Sequence, residues 1–182
     1  MGINCMLPEL SVVIGATASG KSGFAERLVT STMRQRIYIA TAQAFDDEMR
    51  HKIARHKETR GAGWHTVEAP LEIAQPLINV DPASVVLLDC ATLWLSNQML
   101  ADNDIEQATT ELLSALQTCP VPVVVVSNEV GAGGVSDNAM ARQFTQAQGL
   151  LNQRLAAQAG LVVSITAGLP LVLKGTLPET VE

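Results

Sequence analysis

Short runs of continuous apolar, largely β-branched residues recur along the chain: Leu10 to Ile14, Ile37 to Ala40, Val85 to Leu88, Val121 to Val126 and Leu161 to Ile165. None alternates with polar residues, the mark of strands covered on both faces as in a parallel sheet between helical layers. Between these runs the pattern predicts helices from Gly20 to about Thr30, Asp46 to about Glu58, Leu71 to Ile78, Ile105 to Thr118 behind an Asp104 N-cap, and Asn138 to Gln158. In the fourth, Ile105, Ala108, Leu112 and Leu116 form one stripe. In the last, Met140, Phe144, Ala147, Leu151 and Leu155 are expected to face inward. Strands alternating with helices, without an internal repeat, predict one doubly wound α/β domain over residues 1–182.

Composition narrows the class. The 182 residues are 47% hydrophobic and 16% charged, too apolar for disorder and too interrupted for an integral membrane protein. The longest uncharged stretch, Leu155 to Leu173, is broken by Gln158, Gly160, Gly168 and Pro170 and reads as a buried strand and its turn. Met1 to Glu9 lacks the pattern of a secretory signal, and Cys5, Cys90 and Cys119 form no CxxC pair, so a cytoplasmic protein is expected. Eighteen acidic against 12 basic residues, and 3% aromatics, argue against nucleic acid as a partner.

The chemistry begins at Gly15-Ala16-Thr17-Ala18-Ser19-Gly20-Lys21-Ser22, a complete G-x-x-x-x-G-K-[ST] phosphate loop between an apolar strand and a helix. Its backbone N–H groups and the helix start would face phosphate oxygens, with Lys21 supplying charge at the β and γ groups and Ser22 a hydroxyl for Mg²⁺. The motif and the strand pattern together predict a P-loop nucleoside triphosphate hydrolase-like α/β fold, its mainly parallel sheet covered by helices on both faces. A second metal carboxylate is expected at the end of another apolar strand, where Asp89 follows Val85 to Leu88; the alternative is a cap for the segment starting at Cys90 or Ala91. Asn128 and Glu129 occupy a third strand end, as ligand contacts or as loop caps.

Two of the three histidines lie on the helix predicted from Asp46. At about 100° per residue His56 falls near Met49 and Ile53 and faces inward, while His51 points away. An inward histidine is a hydrogen-bonded core residue or a catalytic one. Arg55, Lys57 and Arg60 around it form either a solvated basic face or a polyphosphate contact.

These residues resemble the bifunctional adenosylcobinamide kinase/adenosylcobinamide-phosphate guanylyltransferase family of cobalamin biosynthesis. The resemblance rests on the P-loop, on Ile39-Ala40-Thr41 followed by Asp46 to Met49, on Ile53-x-x-His56, and on Trp64 to Pro70 and Leu87 to Cys90. It continues through Trp94, Asn97, Ser127 to Gly131, Asn152 to Ala156 and Gly168 to Leu171. It implies phosphorylation of the cobinamide aminopropanol hydroxyl by ATP or GTP, then transfer of GMP from GTP onto that phosphate, giving adenosylcobinamide-GDP and pyrophosphate. It further implies His56 as the guanylylated nucleophile, which passes GMP on and so divides one displacement into two. Nucleotide contacts are implied at the P-loop, at Ala40, Thr41 and Ala42, at Lys57, Glu58, Thr59 and Arg60, and at Glu68 and Asp89. A homotrimer with sites between subunits is implied as well. Ala18, Lys52, Gly133 to Ser136 and Thr145-Gln146 depart from the usual family pattern without touching Lys21, Ser22, His56 or Glu68. A monofunctional P-loop kinase for another small alcohol, and a nucleotide-dependent switch protein, are the competing readings.

Overall fold

The computed structural model describes residues 7–43, 58 and 60–179. In chain order it contains β1 (Leu10–Gly15), α1 (Lys21–Thr30), β2 (Gln35–Ala40), β3 (Trp64–Glu68), α2 (Ala74–Ile78), β4 (Ser84–Asp89) and α3 (Ala91–Leu100). After these come α4 (Ile105–Thr118), β5 (Val123–Asn128), a 3-10 turn at Gly131–Gly133, α5 (Ala139–Gln158), β6 (Leu161–Thr166) and β7 (Leu169–Lys174). The strands form one sheet in the order β3-β2-β4-β5-β1-β6-β7. All neighbours are parallel except the hairpin pair β6 and β7.

The central strands of the sheet are buried on both faces, which is why they show no alternation in the sequence. Val13, Val85, Leu87, Val124 and Val126 pack on Phe24, Ala25 and Leu28 of α1. The intervening residues Val12, Val86, Leu88, Val123 and Val125 pack on the opposite side, against Leu77, Trp94, Leu95, Leu112 and Leu151. This two-residue period assigns every strand position to the α1 face or to the other.

The differences from the sequence expectation have local causes. β5 starts at Val123 because Pro122 has no N–H for the ladder. α2 starts at Ala74 instead of Leu71, whose carbonyl is taken by Trp94 Nε1 (2.9 Å) and Gln98 Nε2 (3.0 Å). Asp104 caps α4 as expected, accepting from the N–H of Gln107 (3.0 Å), and Asn138, expected as the first residue of the last helix, is its N-cap and accepts from the N–H of Ala141 (3.1 Å). Met140, expected to face inward, is 70% exposed, because the first turn of α5 continues the exposed segment 131–138; Leu151 and Leu155 are buried. The uncharged stretch from Leu155 divides into the end of α5, the buried β6 and the exposed β7, joined at Ala167 and Gly168, both with positive φ as a two-residue hairpin turn requires. The helix predicted from Asp46 to Glu58 lies outside the described residues, apart from Glu58. Among the described residues no helix is long and apolar enough to cross a membrane.

Candidate active site

The P-loop runs from the end of β1 into α1. A Cβ at Gly15 would lie 2.5 Å from Ser19 Oγ and 2.6 Å from the Ile165 carbonyl, so the strand can end there only in glycine. Gly20 adopts φ 94°, a conformation that costs glycine little and turns the chain into α1. The loop is braced from behind, since the Gly168 N–H at the β6–β7 turn donates to the Ser19 carbonyl (2.9 Å). Lys21 is 8% exposed, and its Nζ donates to the Ala16 carbonyl (3.1 Å). Ser22 is half-buried at the start of α1, and Ser19 Oγ is buried with no hydrogen-bond partner among the described residues.

The other candidates converge on the same edge. Ala40 pairs in register with Glu68 on one side and Asp89 on the other. Tyr38, Val85, Leu87 and Trp64 lie on the α1 face, and the two-residue period extends that face to Ala40, Asp89 and Glu68 at the strands' C-terminal ends. Asp89 does not cap α3, whose N-cap Cys90 makes no side-chain cap bond; its Oδ2 accepts from Tyr38 Oη (3.0 Å). Burial and that carboxylate push the Tyr38 phenol up. Burial and Asp89 also raise the Glu26 carboxyl, and the Cys90 thiol is pushed up to about 11 by the same two causes, with Lys21 acting the other way. Lys21, Glu26, Asp89 and Cys90 therefore share one electrostatic neighbourhood.

Arg60 joins it through a stack. Its guanidinium lies 3.4 Å from the centroid of Tyr38 and 5.6 Å from that of Trp64, and Nη2 donates to Thr66 Oγ1 (3.2 Å). Arg36 covers Trp64 at 5.4 Å, and the two aromatic rings meet edge to face at 6.1 Å. Such contacts hold a guanidinium at a site without neutralising it.

Buried polar groups fix the strand ends. Thr41 Oγ1 accepts from the Cys90 N–H (2.8 Å) and donates to the Cys90 carbonyl (2.8 Å), tying Thr41 to the residue after Asp89. Asn97 of α3 donates through Nδ2 to the Thr41 carbonyl (2.8 Å) and to the Pro70 carbonyl (2.9 Å), joining the end of β2 to the segment after β3. Behind β5, Ser127 Oγ donates to Asn152 Oδ1 (2.6 Å), and the wholly buried Gln148 donates to both (2.9 Å each).

The P-loop residues, Ala40, Thr41, Ala42, Glu68 and Asp89 thus lie on one edge, with Arg60 against Tyr38 and Glu58 exposed. His51, His56, Lys57 and Thr59 lie outside the described residues. Sequence reading missed the Tyr38–Arg60–Trp64 stack, although Tyr38 is the single tyrosine of the chain, and it singled out Asn97 without a role.

Three comparisons bear on identity. The solved structure of the flagellar accessory protein FlaH from Methanocaldococcus jannaschii matches 94% of this chain and 80% of its own, with a TM-score of 0.52 and 10% identity, a likeness of fold alone. Among curated proteins, the bifunctional adenosylcobalamin biosynthesis protein CobP of Pseudomonas aeruginosa is 39% identical over 90% of this chain and 96% of its own length. The bifunctional adenosylcobalamin biosynthesis protein CobU of Salmonella typhimurium is 40% identical over 90% and 98%. The family model described as cobinamide kinase/cobinamide phosphate guanyltransferase matches residues 11–173, from β1 into β7, so this chain belongs to that family.

Proposed function

We propose that this enzyme phosphorylates the aminopropanol hydroxyl of adenosylcobinamide from ATP or GTP and then transfers GMP from GTP to the new phosphate through a guanylylated His56. The observation that carries this reading is the single row formed by Glu68, Ala40, Asp89 and the P-loop on the α1 face, in a chain matched by the family model from β1 into β7. A triphosphate seated on the P-loop amides would lie along that row, within reach of Lys21 and beside the stacked Arg60.

In the first reaction the hydroxyl oxygen bonds to the γ-phosphorus as the bond to the β-bridging oxygen breaks. In the second, an imidazole nitrogen of His56 attacks the α-phosphorus and pyrophosphate leaves; a phosphate oxygen of the corrinoid then displaces the imidazole from the phosphoramidate. Ser22 and Asp89 offer one hydroxyl and one carboxylate, a donor set that suits Mg²⁺, an ion that takes few protein ligands and shares the phosphate oxygens. When bound it would offset phosphate charge. The same reading places the enzyme in the cytoplasm as a homotrimer. The exposed apolar face of β7, with Leu169 71% and Leu171 62% exposed, is surface that such an assembly would cover.

Incubation with α-labelled GTP tests the reading. Protein-bound label that acid releases and alkali does not, mapped to His56 and discharged by cobinamide phosphate, is the expected result. No label, with cobinamide still phosphorylated, would leave a monofunctional kinase.

A further inference from the structure

Asn128 is a polar residue at a strand end to which the functional reading assigns nothing. Its strand, β5, lies between β1, which delivers the P-loop, and β4, which delivers Asp89. Asn128 pairs in register with Gly15, whereas Asp89 pairs with Val126. Asn128 is therefore one strand spacing, about 4.8 Å, from the start of the P-loop, and two residues or roughly 7 Å beyond the level of Asp89. That is the direction in which the strand ends of an open parallel sheet meet their ligands.

The face follows from the period. Val124 and Val126 pack beneath α1, while Ser127 points the other way into its network with Gln148 and Asn152. Asn128 accordingly falls on the α1 face, the face of Lys21. Its backbone is held on both sides: the N–H donates to Thr92 Oγ1 (2.7 Å), and the carbonyl accepts from Asn152 Nδ2 (3.0 Å). Its half-buried carboxamide has no partner among the described residues. Loop capping falls to Glu129, whose carboxylate accepts from the Gly131 N–H (2.8 Å). A rigidly mounted, neutral donor thus stands uncommitted between the phosphate loop and the carboxylate.

We propose that Asn128 is a catalytic residue of the phosphoryl-transfer step, its Nδ2–H bonding a non-bridging oxygen of the terminal phosphate of a triphosphate seated on the P-loop. The assignment rests on the kinase half of the proposed function. As the acceptor oxygen bonds to the γ-phosphorus, the bond to the β-bridging oxygen breaks, its electron pair leaves with the nucleoside diphosphate, and the hydroxyl proton passes to water. Charge spreads over the equatorial γ-oxygens throughout, and a fixed donor there lowers the barrier without having to reorganise. In guanylyl transfer the bond that breaks lies between the α and β groups, so the same donor contributes far less.

The test compares the parent, Asn128→Ala and Asn128→Gln in two assays: steady-state phosphorylation of cobinamide by ATP, and the initial rate of protein labelling from α-labelled GTP. Asn128→Ala should lower the phosphorylation kcat about 100-fold and leave the KM for ATP within about threefold. Labelling should stay within about threefold of the parent, and Asn128→Gln, which keeps the amide, should recover part of the lost kcat. The thermal midpoint of Asn128→Ala should match the parent's, because the side chain makes no hydrogen bond among the described residues. Unimpaired phosphorylation, equal losses in both assays, or a lowered midpoint with a raised KM would each overturn the assignment. A parent inactive in both assays would overturn the functional reading and the assignment with it, whereas a parent active in both with an unimpaired Asn128→Ala overturns the assignment alone.

Discussion

Asn97→Leu removes the two hydrogen bonds that join β2 to the segment after β3 while keeping a side chain branched at the same carbon. Asn97 is 6% exposed, so a smaller replacement would add a cavity cost that leucine avoids. The Thr41 carbonyl is buried and stays unpaired, at a cost of roughly 2 kcal/mol, while the half-buried Pro70 carbonyl recovers water and costs about 1 kcal/mol. The sum, about 3 kcal/mol, should lower the thermal midpoint by roughly 6–12 °C in a chain of this size. Urea unfolding followed by circular dichroism should show the lower midpoint with an unchanged slope, since the surface exposed on unfolding is the same. The KM for GTP should also rise, because the freed segments include Ala40 to Ala42 and lead back to Glu68. Asn97→Asp sharpens the test. A carboxylate facing two carbonyls is worse than leucine near neutrality, and its raised folded-state pKa means that stability returns as pH falls and the protonated group donates one bond. A loss below about 1 kcal/mol for Asn97→Leu would show that the two carbonyls are satisfied without the amide, and the clamp would have no energetic content.

Three further outcomes follow from the site. His56→Ala should lose labelling by α-labelled GTP and keep cobinamide phosphorylation within about threefold, with His51→Ala as the labelled control; label on His56→Ala would refute the nucleophile. Asp89→Asn should raise the Mg²⁺ needed for half-maximal rate about tenfold or more in both reactions, measured by titration of the ion, and an unchanged requirement would remove Asp89 from the metal site. Burial and Asp89 raise the Glu26 carboxyl above 4.5, so in the metal-free protein the folded state holds that proton more tightly than the unfolded chain. The carboxyl's contribution to stability is then lost as pH rises from 4.5 through the raised folded-state value. Glu26→Gln should therefore stabilise the metal-free protein near neutrality and give no gain at acidic pH, as read from unfolding midpoints at each pH.

The sheet was legible in the sequence wherever a strand is buried on both faces, since an unbroken apolar run needs no partner information to be recognised. β3 and β7 escaped for the complementary reason: Trp64 to Glu68 is half polar at one sheet edge, and Leu169 to Lys174 is exposed throughout at the other, so neither carries a burial signal of its own. α3 follows β4 directly and buries Thr92, Asn97 and Gln98 among its apolar residues, which blurs the helical stripe. The P-loop could be read residue by residue because its mechanism dictates spacing within eight consecutive positions. The Tyr38–Asp89 bond and the Arg60 stack could not, since each joins residues brought together only by strand order.

That strand order also sets a timetable for the chain as it is made. β1, which ends in the phosphate loop, leaves the ribosome well before both of its neighbours, since Leu10 pairs with Val123 and Ser11 with Leu161. At ordinary synthesis rates β1 waits on the order of ten seconds for both neighbours, with its ladder groups and its apolar sides uncovered. Nascent chains stalled before Leu161 would leave one edge of that strand open and the loop without its brace from Gly168. Nucleotide capture is thus expected only once synthesis has passed Gly168, and until then the open edge and apolar sides of β1 are surface for a chaperone to cover.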